Sequence, residues 1–171
     1  DEVRLCIAFL RLLANLEDSL SLFYLAASVI YQVPLADLTI CMNYSRRRVL
    51  SLFYCLEHLD SIPELSNVSD TARKGIQKLI KDIQKYIEAS HQHSTGRLLY
   101  LFLTNSGYIK SLVKNPSIVN EEKLQNLARF FELVRDFELV AKEDRVVYFI
   151  QHLDALIQSG DDPATVEADR D

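Results

Sequence analysis

Apolar residues recur at steps of three and four along nearly the whole chain, a pattern that predicts helices separated by short polar breaks. Leu5, Phe9, Leu12 and Leu13 define a first helix over about 2–15. Asp18 or Ser19 is placed to cap a second, running to about Tyr31. Pro34 opens a third that reaches Arg48, because a first helical turn accepts proline. Ser51 caps a short helix over 52–59, closed by Ile62-Pro63. A long helix follows Ser69 and runs to about Ser90, and Thr95 caps another that stops at Asn105-Ser106-Gly107. A short helix over 108–114 precedes Pro116, Asn120 caps a second long helix over 121–142, and Asp144 caps the last, which ends at Gly160. The sum is an all-α chain of about nine helices in one compact domain, residues 1–160, followed by an acidic and flexible tail, residues 161–171.

Composition agrees with that reading. Four Gly and four Pro in 171 residues are too few for a hairpin-rich β fold, which needs turn residues at short intervals. At 49% hydrophobic and 25% charged, the chain is not intrinsically disordered. The net charge is −5, and residues 161–171 hold five acids against one arginine, so the helical body is close to neutral. That excludes a strongly basic nucleic-acid module but leaves room for a local basic stripe. The uncharged run 19–36 is interrupted by Ser19, Ser21, Ser28, Gln32 and Pro34, which favours a core helix over a membrane span. Cys6, Cys41 and Cys55 are odd in number and widely spaced, which fits buried thiols in a reducing, cytoplasmic compartment better than disulfides or a zinc site.

Catalytic chemistry is sparse. The four glycines stand far apart at 75, 96, 107 and 160, so there is no phosphate-cradling loop, and no Gly-x-Ser-x-Gly elbow is present. His91 and His93 lack the i, i+4 spacing of helical metal ligands and suit a solvated loop; His58 and His152 are isolated. No catalytic, cofactor or metal residue is assigned, and the chain by itself is not expected to be an enzyme.

Two basic groups carry more information. On the helix after Ser69, Ile76, Ile80, Ile83 and Ile87 share one face within about 60°, and Lys74, Lys78, Lys81 and Lys85 share the opposite one. Such a face is either solvated for solubility or tracks a phosphate backbone. Arg46-Arg47-Arg48 ends the third helix, where cations complement the helix dipole; phosphate contact is the other reading.

The run Glu2-Val3-Arg4-Leu5-Cys6-Ile7-Ala8-Phe9-Leu10-Arg11-Leu12-Leu13-Ala14-Asn15, with Asp18, resembles the helix after the fourth motif of the UvrD/Rep/PcrA family of superfamily 1 DNA helicases. There the chain leaves motor subdomain 2A for the inserted helical subdomain 2B. The resemblance continues in order. Asn105-Ser106-Gly107-Tyr108 is similar to a Ser-Gly turn of that insert, and Leu124-Gln125-Asn126-Leu127 to its Ile-Glu-Asn-Leu helix. Phe149-Ile150-Gln151-His152-Leu153 with Gly160-Asp161-Asp162 looks like its last helix and acidic exit toward 2A.

The resemblance implies an all-helical accessory subdomain of a 3′-to-5′ ATP-driven DNA helicase of repair or replication. The implied partners are DNA, bound weakly in isolation, and the motor subdomains; ATP and Mg would belong to the parent, whose ATPase motifs are not in this chain. With no initiator Met and no closing element, the sequence reads as a piece of something longer, and an insert's two ends should lie together. One departure stands out: where many family members have a duplex-contacting Gly-Ile-Gly turn, this chain has Gln32-Val33-Pro34. The rival reading is a helical protein-interaction module that recruits repair or transcription partners without touching DNA.

Overall fold

The helical periodicity is realised along the chain. The computed structural model describes residues 1–164. Among them are nine α-helices and no strand: α1 (Glu2–Ala14), α2 (Ser19–Ala27), α3 (Leu35–Arg48), α4 (Leu52–Glu57), α5 (Asp70–Ala89), α6 (Thr95–Asn105), α7 (Tyr108–Lys114), α8 (Ile118–Val140) and α9 (Val146–Gln158). Two 3-10 turns, Leu59–Ser61 and Pro63–Leu65, join α4 to α5. Of the expected acidic tail, residues 165–171 lie outside the described residues.

Several boundaries differ from the sequence expectation, each for a local reason. α2 ends at Ala27 and not at Tyr31, because the Ser28 hydroxyl donates to the Leu25 carbonyl at 2.6 Å and Ser28 turns extended. Ser94, not Thr95, caps α6, accepting the Arg97 N–H at 3.1 Å. Ser117, not Asn120, caps α8, while the Asn120 amide donates to the Asn115 carbonyl at 2.7 Å. Asp144 does not cap α9; its carboxylate accepts from the Thr95 hydroxyl at 2.8 Å and binds the start of α6 instead. Glu138 of α8 accepts the neighbouring Gly96 N–H at 2.8 Å. Burial holds the Glu138 carboxyl above its usual range, opposed by that N–H and reinforced by Asp144. Thus the N-terminus of α6 is satisfied by carboxylates from the far end of the chain.

α1 is the hub. Val3, Leu5, Cys6, Ala8, Phe9, Leu10 and Leu12 are buried on nearly every side of it, as expected of a helix surrounded by others. Phe9 stacks on Phe102 of α6 at 4.0 Å and meets Tyr86 of α5 edge-on at 5.3 Å. A second aromatic group, Phe130, Phe137 and Phe149, joins α8 to α9. Polar ties close the same packing: Arg11 pairs with Asp154 of α9 at 2.6 Å, and the Asn126 amide of α8 donates to the buried Glu2 at 2.9 Å.

One backbone position is held against its preference. Leu50 N–H reaches the Ser45 carbonyl across the end of α3, a Schellman closure, and puts Val49 at φ 55°, 92% exposed. A β-branched residue in the left-handed region costs about 1–2 kcal/mol. Val49→Gly should therefore raise the unfolding free energy by about 1 kcal/mol in urea titrations, after the entropy cost of glycine; an unchanged or lower midpoint would show that Val49 is not strained.

Candidate nucleic-acid interface

α5 begins at Ser69, whose hydroxyl accepts the Ala72 N–H at 3.2 Å. Asp37 of α3 fixes that cap, accepting from the Ser69 N–H at 2.9 Å and from its hydroxyl at 2.8 Å. Ala72, Ile76, Leu79, Ile80, Ile83 and Tyr86 are buried along one face, with Ile87 half-buried beside them. The opposite face carries Lys74, Lys78, Lys81 and Lys85, all exposed. At 1.5 Å per residue the four amines line a ridge about 16 Å long.

None of these four lysines is ion-paired with a described residue. Lys78 Nζ lies 5.9 Å from the Tyr31 ring and Lys85 Nζ 5.5 Å from the Tyr86 ring. Arg73, next to the ridge in sequence, belongs to the scaffold. It donates to the Val68 and Leu65 carbonyls and pairs with Asp60 at 2.6 Å, bracing the turns before α5.

Arg46, Arg47 and Arg48 are exposed at the end of α3. Arg48 pairs with Glu64 at 3.2 Å and lies over the Tyr44 ring, while Arg46 and Arg47 make no ion pair with a described residue. No hydrogen bond, ion pair or ring contact among the described residues joins these arginines to the lysine ridge.

The connection from α2 to α3 packs against α5. Gly75 is where the backbones meet: a Cβ there would sit 3.0 Å from the Tyr31 carbonyl oxygen and 3.0 Å from Val33 Cγ2. The Tyr31 hydroxyl donates to Asp82 of α5 at 2.8 Å. Burial, and then that hydrogen bond, push the phenol above its usual range, so Tyr31 remains a donor. Gln32 sits at φ 52°, in the left-handed region that glycine favours. Its N–H is taken by the Ser28 carbonyl at 2.8 Å, and that of Val33 by the Ala26 carbonyl at 3.0 Å. Pro34 has no N–H, so Gln32-Val33-Pro34 has no backbone donor left for a phosphate.

No known family profile matches the chain. Over 155 residues it is 26% identical to the ATP-dependent DNA helicase PcrA of Bacillus subtilis (strain 168), a stretch covering 89% of this chain and 20% of that protein. The match supports a helicase relationship. The chain spans about one fifth of the length of this curated relative.

The two ends of the described chain meet at one cleft. Val3 of α1, Phe130 and Leu133 of α8, Leu156 of α9, and Asp161 with Pro163 line a largely apolar space of about 350 Å³. The three cysteines are buried and unpaired, and burial raises each thiol, Cys41 to about 11. Among the described residues no three His, Cys, Asp or Glu side chains converge as a metal site, and no helix is long and apolar enough to cross a membrane. Sequence reasoning found the ridge and the acids Asp82 and Glu88 that interrupt its charge, but not the Tyr31–Asp82 contact, which spans 51 residues of separation, nor the close approach at Gly75.

Because Gly75 is the contact point, Gly75→Val should force the α2–α3 connection away from α5. The expected loss is about 1–3 kcal/mol of unfolding free energy, read by urea titration. Wild-type stability would mean that the connection yields freely there.

Proposed function

We propose that this chain is the accessory helical subdomain, 2B-like, of an ATP-dependent 3′-to-5′ DNA helicase, and that its α5 lysine face contacts the DNA phosphate backbone. The helicase relationship and the ordered resemblance along the chain support the parent. The observation that carries the DNA contact is the ridge itself: four exposed lysines on one face, none ion-paired with a described residue. Arg46 and Arg47 offer further phosphate contacts. ATP and Mg would be used by the motor subdomains of the parent, in keeping with a sequence whose four glycines form no phosphate-cradling loop. In this role the body swings against those subdomains, and the cleft lined by Val3, Leu156 and Pro163 is a surface suited to packing on them. A cytoplasmic location goes with this role.

A second reading, a protein-interaction module, has its own support at the junction of α8 and α9. Leu139, Val140, Val147 and Tyr148 are exposed there.

The two readings separate on salt dependence. Duplex DNA binding by this chain should be weak, with a log–log salt slope of up to about 3.6 in magnitude if all four lysines engage, at about 0.9 per phosphate. Lys78→Glu with Lys81→Glu should abolish at least half of that slope and lower affinity by more than about tenfold at low salt. A double variant that binds as the parent sequence does would return the ridge to a merely solvated surface.

A further inference from the structure

Lysines on a helix ordinarily pair with acids three or four positions away. Asp82 stands four residues after Lys78 and three before Lys85, and Glu88 stands three after Lys85. Yet neither lysine pairs with either acid in the structure. For Asp82 the reason is visible. Its carboxylate accepts the Tyr31 hydroxyl at 2.8 Å and is drawn to the flank of α5 that faces the α2–α3 connection. Lys78 turns over the Tyr31 ring, and Lys85 over the Tyr86 ring. Tyr31 is itself fixed: it is buried, its carbonyl oxygen presses on Gly75, and the left-handed turn at Gln32 is held by two backbone hydrogen bonds to the end of α2.

We infer that Tyr31 is a positioning residue for the DNA-contacting face, holding Asp82 aside so that Lys78 and Lys85 remain available to phosphates. The inference rests on the reading of α5 as a DNA face and names the device that keeps it open. A helix with the same lysines and a free Asp82 would partly neutralise itself. The tyrosine ring packs the loop; the hydroxyl engages the Asp82 carboxylate. These two roles separate in a single substitution.

Tyr31→Phe keeps the ring and removes the donor. Asp82 is then free to pair with Lys78 or Lys85, at the cost of one phosphate contact. Binding of the 171-residue chain to a short fluorescent duplex DNA should weaken about twofold at 0.1 M salt, the worth of one exposed helix ion pair, and the salt slope should fall by a fraction of the about 0.9 expected for one phosphate. Adding Asp82→Asn to Tyr31→Phe should restore both affinity and slope, whereas Asp82→Asn alone should change them far less. A purely structural role for Tyr31 predicts no such rescue, since the double variant still lacks the hydrogen bond. Wild-type binding by Tyr31→Phe, or equal effects of Asp82→Asn in both backgrounds, would overturn the inference while leaving the DNA face standing. Absence of salt-dependent duplex binding by the unsubstituted chain would overturn the DNA face itself.

Discussion

The contact of Phe9 with Tyr86 and Phe102 sets the roll of α5, and the basic surface follows from that roll. Aromatic pairs of this kind contribute about 0.5–1.5 kcal/mol each beyond the burial of their area. Phe9 brings α1, α5 and α6 together at one point, with Tyr86 and Phe102 also meeting edge-on at 5.9 Å. Once Tyr86 is turned inward, helix geometry takes Ile76, Leu79, Ile80 and Ile83 with it, and all are buried. Residues 74, 78, 81 and 85 must then face solvent. Rotating α5 far enough to hide its lysines would expose the isoleucines and break the trio.

Around that axis, polar contacts refine what the core dictates. Asp37 holds the start of α5 to α3, Arg73 braces the turns ahead of it, and Tyr31 draws Asp82 to one side. The surface chemistry of α5 is thus organised by residues on α3, on the α2–α3 connection and in the preceding turns. The connection also differs from a phosphate-binding glycine turn in a definite way. Gln32 has a left-handed backbone, which a glycine favours, but its N–H and that of Val33 are used internally. The turn therefore offers no backbone N–H to a phosphate, and the proposed DNA contact rests on the lysine side chains.

Periodicity made the helices and the opposed faces of α5 legible, because burial of an apolar stripe is a one-dimensional signal. Caps were less legible. Thr95, Asn120 and Asp144 have the right chemistry for a helix start, but each is engaged elsewhere: Thr95 and Asp144 with one another, Asn120 with Asn115. A neighbouring serine caps α6 and α8 instead, and only tertiary packing decides between them. The strain at Val49 and Gln32 was hidden because neither residue advertises a left-handed backbone as glycine does. The candidate site was half legible: spacing gave the four lysines, whereas the Tyr31–Asp82 contact depends on a fold that spacing does not encode. The Arg46-Arg47-Arg48 run was visible as charge, but the pairing of Arg48 with Glu64 was not.

The central claim is that α5 is the DNA face of this molecule. Four of its eight lysines lie on that helix, and the others, Lys110, Lys114, Lys123 and Lys142, lie elsewhere on the chain and serve as internal controls. The direct measurement is lysine acetylation footprinting of the whole chain with and without duplex DNA at low salt, read by mass spectrometry. The account predicts that DNA protects Lys74, Lys78, Lys81 and Lys85 selectively, and that added salt removes the protection. Equal modification of all eight lysines with and without bound DNA, or protection confined to the four controls, would contradict it.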